Sequence, residues 1–203
     1  MIIKKEIRFL VTLLLLILSM GNKAFSQNDS IIFASRSYYF ALYLNAGYSS
    51  DMDSVAKRMD RTGLALSTRI MLSSKHPFSL GVELAYLNIS HYKEKNVNTQ
   101  FGITDIDNKL NCLPLLFIVN YKMFNFDVSG GYGPVYINSQ INAFGEISQS
   151  SEWDYALMFS LGYNFKIIDN LSLNVTFKYL NIPPLFKELL SLQAGILLKL
   201  FEI

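Results

Sequence analysis

The chain has 203 residues, 51% of them hydrophobic and 14% aromatic, with 18 basic and 16 acidic side chains and a formal charge of +2. A single cysteine excludes an intramolecular disulfide. Two histidines, with no H-E-x-x-H, paired C-x-x-C or Walker-type glycine loop, offer no familiar metal, cofactor or phosphate site.

The first 26 residues read as a cleaved secretory signal peptide. Lys4, Lys5 and Arg8 form a positive start, Phe9 to Met20 an apolar stretch, and Ala24 and Ser26 suit cleavage before Gln27. A membrane anchor is the competing reading, but the apolar run falls short of the ~20 residues that a spanning helix needs. Removing residues 1–26 takes away four basic residues and Glu6, leaving 14 basic against 15 acidic. The apparent basicity is therefore a targeting feature and argues against a nucleic-acid partner. Residues 27–36 are expected to be a short periplasmic segment and 37–203 a single barrel domain.

Eight segments then alternate apolar and polar with period two, the signature of strands with one oily face. The first, 38–48, aligns Tyr38, Phe40, Leu42, Leu44 and Tyr48. The second, 63–72, aligns Leu64, Leu66, Ile70 and Leu72. The third, 78–89, aligns Phe78, Leu80, Val82, Leu84 and Tyr86. The fourth, 110–121, is apolar on both faces, and Leu113, Leu115, Phe117, Val119 and Tyr121 are taken as outward. The fifth starts at FNFDVSGGYG (124–133) and runs to Asn138, with Phe124, Phe126, Val128 and Tyr132 on one face and Asp127, Ser129 and Gly131 on the other. The sixth, 154–165, aligns Tyr155, Leu157, Phe159, Leu161, Tyr163 and Phe165. The seventh, LSLNVTFKY (171–179), alternates without exception, and the eighth, 189–201, aligns Leu190, Leu192, Ala194, Ile196 and Leu198.

The connections alternate too. Short turns are expected at SSKHP, at Lys122–Met123 and at IIDN, and longer polar loops of roughly 14, 20, 15 and 9 residues follow strands one, three, five and seven. Aromatic residues gather near both ends of the strands, as at two water–lipid interfaces. Pro114 and Pro134, the latter flanked by Gly130, Gly131 and Gly133, predict a bulge or bend near the outer rim. A turn at SSKHP places Arg69 opposite Glu83 and Ile70 opposite Val82, charged with charged and oily with oily. The fold expected is all-β, an eight-stranded antiparallel up-and-down transmembrane barrel whose interior is filled by side chains.

LPLLFIVNYKMFNFDVSGGYGPVYIN, together with DNLSLNVTFKYLN and the closing strand, resembles the outer-membrane β-barrel domain of Bacteroidetes proteins, including PorT-like members of the porin family. The resemblance implies residence in a Gram-negative outer membrane, contact with its lipid and lipopolysaccharide, and insertion by the barrel-assembly machinery. It carries over no catalytic residue. Phe201, third from the end, departs from a terminal aromatic residue.

Within the barrel, Arg69, Glu83, Asp127 and Lys178 are expected to face inward as an ion network, since buried charges persist only when paired. Lys122, Lys166 and Lys199 read as solvated ends, and His76 as a turn residue. Ser90 and His91, with Asp105 and Asp107 nearby, are the weak seed of a hydrolytic site, because adjacent strand residues point to opposite faces. Three functions remain open from sequence. They are a structural or interaction barrel, alone or in an envelope or secretion assembly; a lipid-A-modifying barrel enzyme; and a soluble lipocalin-like ligand binder.

Overall fold

A computed structural model describes residues 38–52, 62–74, 77–100, 102–183 and 187–202. The signal peptide, the segment 27–36 and the His76 turn lie outside the described residues. The strands are β1 (Tyr38–Asp51), β2 (Thr62–Ser74), β3 (Phe78–Thr99), β4 (Gly102–Met123), β5 (Phe126–Ala143), β6 (Glu146–Ile168), β7 (Leu171–Ile182) and β8 (Lys187–Glu202). Each pairs antiparallel with the next, and β8 returns to β1, closing the ring. Closure gives the backbone groups of the barrel wall partners without water, the condition for crossing lipid with strands.

Which face is oily decides what surrounds the ring. Leu80 is 61% exposed, Phe117 70% and Leu192 61%, whereas Glu83 is 2% exposed and Arg69 4%. Apolar side chains stand outside and charges inside, the reverse of a water-soluble barrel. Aromatic contacts mark two levels of this outer face. Phe126–Tyr163 and Phe78–Tyr121 lie near the short turns, and Tyr132–Tyr155 and Tyr136–Trp153 lie at the other end. Ten residues separate Phe126 from Tyr136, which at ~3.3 Å each and a tilt of ~40° gives a band about 25 Å tall. That height fits a bilayer core.

The register β2–β3 pairs Arg69 with Glu83 and Ile70 with Val82, as the turn at SSKHP requires. The next short turn differs from expectation. It lies at Phe124–Asn125, two residues later than Lys122–Met123, and Lys122 faces Asp127 while Asn120 faces Ser129. A shift of two residues keeps every side chain on its face, and it lets Asn120 bond both Asp127 and Ser129. Phe124 occupies the turn with φ 57°.

The two longest expected loops are also corrected. β3 and β4 are joined at residues 100–101 and β5 and β6 at Phe144–Gly145, so most of the polar residues assigned to loops belong to ladders. Above the lipid both faces of a strand are wet, so oily–polar alternation disappears while backbone pairing continues. The four central strands therefore run 18–23 residues against 12–16 for the others. They rise past the rim as a protruding sheet.

The expected proline bulge is absent between β4 and β5. Pro114 faces Val135 and Phe117 faces Tyr132, one register on both sides. Gly133 permits this, because a Cβ there would collide with the Leu115 carbonyl oxygen. Bulges occur instead in β3, between Asn88 and Ser90 and between Glu94 and Val97.

Candidate functional site: the barrel interior and its rim

The interior has two layers. In the half nearer the short turns, polar side chains from all eight strands form one hydrogen-bonded network. Arg69 Nε and Nη2 each lie 2.6 Å from Glu83 Oε2, and Lys178 Nζ lies 2.7 Å from Glu83 Oε1. One carboxylate on β3 is thus held by cations from β2 and β7. Lys178 also donates to Ser67, and Ser67 donates to Gln193 on β8, both at 2.8 Å.

The other branch of the network leaves the guanidinium. Arg69 Nη1 donates to Ser129 Oγ at 3.0 Å, and Ser129 donates to Asn120 Oδ1 at 2.7 Å. Asn120 in turn donates to Asp127 Oδ1 at 3.3 Å. Asp127 also accepts from Tyr43 at 3.2 Å and from Asn164 at 2.5 Å, and Asn164 accepts from Asn174. The Tyr43 ring lies 5.7 Å from the Arg69 guanidinium carbon. Of the four charges expected inside, three meet directly. Asp127, although buried, joins them only through neutral amides and hydroxyls.

Among those neutral connectors, Asn120, Asn164, Asn174 and Gln193 are what a search for charges passes over. Their signal is positional, since each occupies an inward parity position. Toward the protruding sheet the lining becomes apolar, with Leu87, Ile89, Cys112, Leu116, Val135, Ile137, Leu180 and Leu189 buried together. The apolar inward face of the fourth segment was the sequence trace of this layer.

At the short-turn end, Lys122 and Lys199 both lie over the Tyr39 ring, at 5.7 and 5.3 Å, and Lys122 donates to its hydroxyl. Lys199 is exposed and Lys122 half-buried, so both are solvated ends that also pack on a ring. Lys166 pairs with Asp169 across the β6–β7 turn at 2.6 Å, and this contact holds the exposed Asp169 carboxyl below its usual range. At the opposite rim, Lys187 pairs with Asp51 at 2.9 Å. A cavity of about 250 Å³ opens there among Leu110, Ile137, Ser139, Ser150, Glu152 and Lys187.

Ser90 is buried, while His91 stands on the outer face with Nε2 2.9 Å from Asp107 Oδ1. The two neighbours diverge as strand geometry requires. Asp105 accepts instead from the Asn96 backbone. Among the described residues, no group of three or more His, Cys, Asp or Glu is arranged to hold a metal ion.

A family model described as outer membrane protein beta-barrel domain matches residues 10–189. No curated protein matches the chain. Among solved structures, a major outer membrane protein from Thermus thermophilus is similar at 12% identity, covering 80% of this chain and 99% of that one with a TM-score of 0.50. Ail of Yersinia pestis, in complex with the heparin analogue sucrose octasulfate, is similar at 10% identity over 81% of this chain and 99% of that one, with a TM-score of 0.49. Neisserial surface protein A is similar at 16% identity over 79% and 97%, with a TM-score of 0.47. At 12% identity the Thermus likeness is one of fold alone.

Proposed function

The chain belongs to the outer membrane protein beta-barrel domain family, and from that premise we propose that it is an integral outer-membrane interaction barrel rather than a channel or a catalyst. The carrying observation is the division of labour along its axis. The lower half is a filled interior with no room for a wide aqueous path. The upper half is a sheet of β3 to β6 that stands clear of the ring and presents two wet faces.

In this reading residues 1–26 direct export and are removed. The short turns face the periplasm, and the protruding sheet faces the exterior, where it meets lipopolysaccharide and protein partners. An envelope or secretion assembly of the PorT-like kind is the setting that the sequence resemblance suggests. The apolar outer band disfavours a soluble ligand binder, and the divergence of Ser90 and His91 removes the geometric start of a hydrolytic site.

Fractionation tests the reading. The mature protein, beginning near Gln27, should be recovered with outer membranes, need detergent for solubility and migrate differently on gels before and after boiling. Recovery in the soluble periplasmic fraction would sink it, and acyl release from lipopolysaccharide by the purified barrel would replace it with an enzymatic one.

A further inference from the structure

The protruding sheet has two upright edges, and they are not alike. Pairing of β2 with β3 ends at Ala65–Leu87, so among the described residues β3 above that point forms one edge. It is interrupted by two bulges and carries Lys93 and Lys95. Bulges and lysines are the usual means of blunting an edge strand against unwanted pairing.

The other edge is β6. Its pairing with β7 begins at Leu157–Asn181, so Glu146–Ala156 has β5 on one side and, among the described residues, no strand on the other. Its pairing with β5 keeps one register throughout, and the segment EISQSSEWDYA contains no proline and no lysine. β7 does not extend to cover it. It ends at Ile182, before Pro183 and Pro184, which have no backbone N–H to continue a ladder.

The side chains along this edge sort by face. Glu146, Ser148, Ser150, Glu152 and Asp154 lie on one face and Ile147, Gln149, Ser151, Trp153 and Tyr155 on the other. Ile147 is 63% exposed and Trp153 71%. Glu146, Glu152 and Asp154 form no ion pair among the described residues.

We propose that β6 residues 146–153, which stand above the lipid band, form a strand-docking edge for an extended segment of a partner protein in which basic residues alternate with apolar ones. Backbone hydrogen bonds would supply the pairing common to all added strands, and the two faces would supply the choice. Lysine or arginine at every second position meets Glu146 and Glu152, while the intervening apolar residues meet Ile147 and, at the lipid boundary, Trp153. A second copy is a poor occupant. Its own segment EISQSSEWDYA carries no lysine or arginine, so in any register a second copy leaves Glu146 and Glu152 without a counter-charge. This inference rests on the interaction-barrel reading but names the surface and the chemistry of its partner.

The test uses the full mature barrel in lipid nanodiscs and three nine-residue peptides: alternating Lys/Val, alternating Glu/Val, and Lys and Val in two blocks. Emission of Trp153, the chain's one tryptophan, reports binding, and hydrogen exchange reports where it occurs. The alternating Lys/Val peptide should bind at least tenfold more tightly than either of the others. It should protect amides in 146–153 and leave those in 88–99 unchanged. The double variant Glu146→Lys, Glu152→Lys should reverse the preference toward Glu/Val while keeping heat-modifiable migration. Equal binding of the three peptides, protection on β3, or β6-mediated self-association without peptide overturns the proposal. A barrel that fractionates with outer membranes yet fails these assays defeats the docking edge alone. One that binds as stated but fractionates as a soluble protein defeats the membrane reading alone.

Discussion

Arg69 and Glu83 face one another on adjacent strands, with Arg69 Nε 2.6 Å from Glu83 Oε2 inside the barrel. Because Lys178 holds the other carboxylate oxygen at 2.7 Å, the two partners are not equivalent. Glu83→Gln leaves two buried cations without a counter-charge and should cost about 3–5 kcal/mol, the range for breaking a buried pair. Arg69→Met leaves Glu83 still paired with Lys178 and should cost less. The double variant should lie below the sum of the two. Urea unfolding in lipid vesicles measures all three, and strict additivity would contradict the contact.

The filled interior makes a prediction about permeability. An eight-stranded ring has an interior just wide enough for side chains, and here Tyr43, Arg69, Glu83, Asn120 and Lys178 occupy it. Planar-bilayer recordings of the monomer should show at most small, irregular conductance. Stable steps of nanosiemens size would require a different interior.

Phe124 sits at φ 57° with 96% of its surface exposed. A bulky residue in this backbone region is strained by roughly 1–2 kcal/mol relative to glycine. In detergent micelles Phe124→Gly should therefore raise the urea midpoint by the equivalent of about 1 kcal/mol. A fall would mean that the ring contributes more as an interfacial anchor than its backbone costs.

Trp153 packs against Tyr136 at a centroid distance of 5.2 Å, at the upper end of the apolar band. Lipids brominated near the head of the acyl chain should quench its emission more than lipids brominated at the chain end. The reverse order would move the bilayer along the strands and with it the base of the protruding sheet.

The ring was legible in the sequence because each strand within the bilayer must be oily on one face only. LSLNVTFKY shows that rule with no exceptions, and the short SSKHP turn then fixed Arg69 against Glu83. Legibility stopped where the rule stopped. Above the lipid, residues such as Lys93, Asp107 and Gln149 are wet on either face, so paired strands read as loops. At Lys122–Met123 a slip of two residues preserves parity, and alternation alone does not distinguish the two registers. Inside, charges advertised themselves while the amides that link Asp127 to Arg69 did not. Asn120 and Asn164 become visible as connectors only when the ring brings β4, β5 and β6 side by side.

The interior network also ties early strands to late ones. Arg69 and Glu83 are 14 positions apart and share a hairpin, so β2 and β3 can enter the bilayer with their charges already cancelled. Lys178 is 95 positions from Glu83 and has no carboxylate on its own hairpin face. If β7 enters before β3 is seated, it carries a lone ammonium into hydrocarbon; if it enters after, it carries that ammonium to a waiting partner. Closing the last hairpin against the ring is thus coupled to β3, because Glu83 Oε1, the oxygen that Arg69 leaves open, is where Lys178 finds its counter-charge.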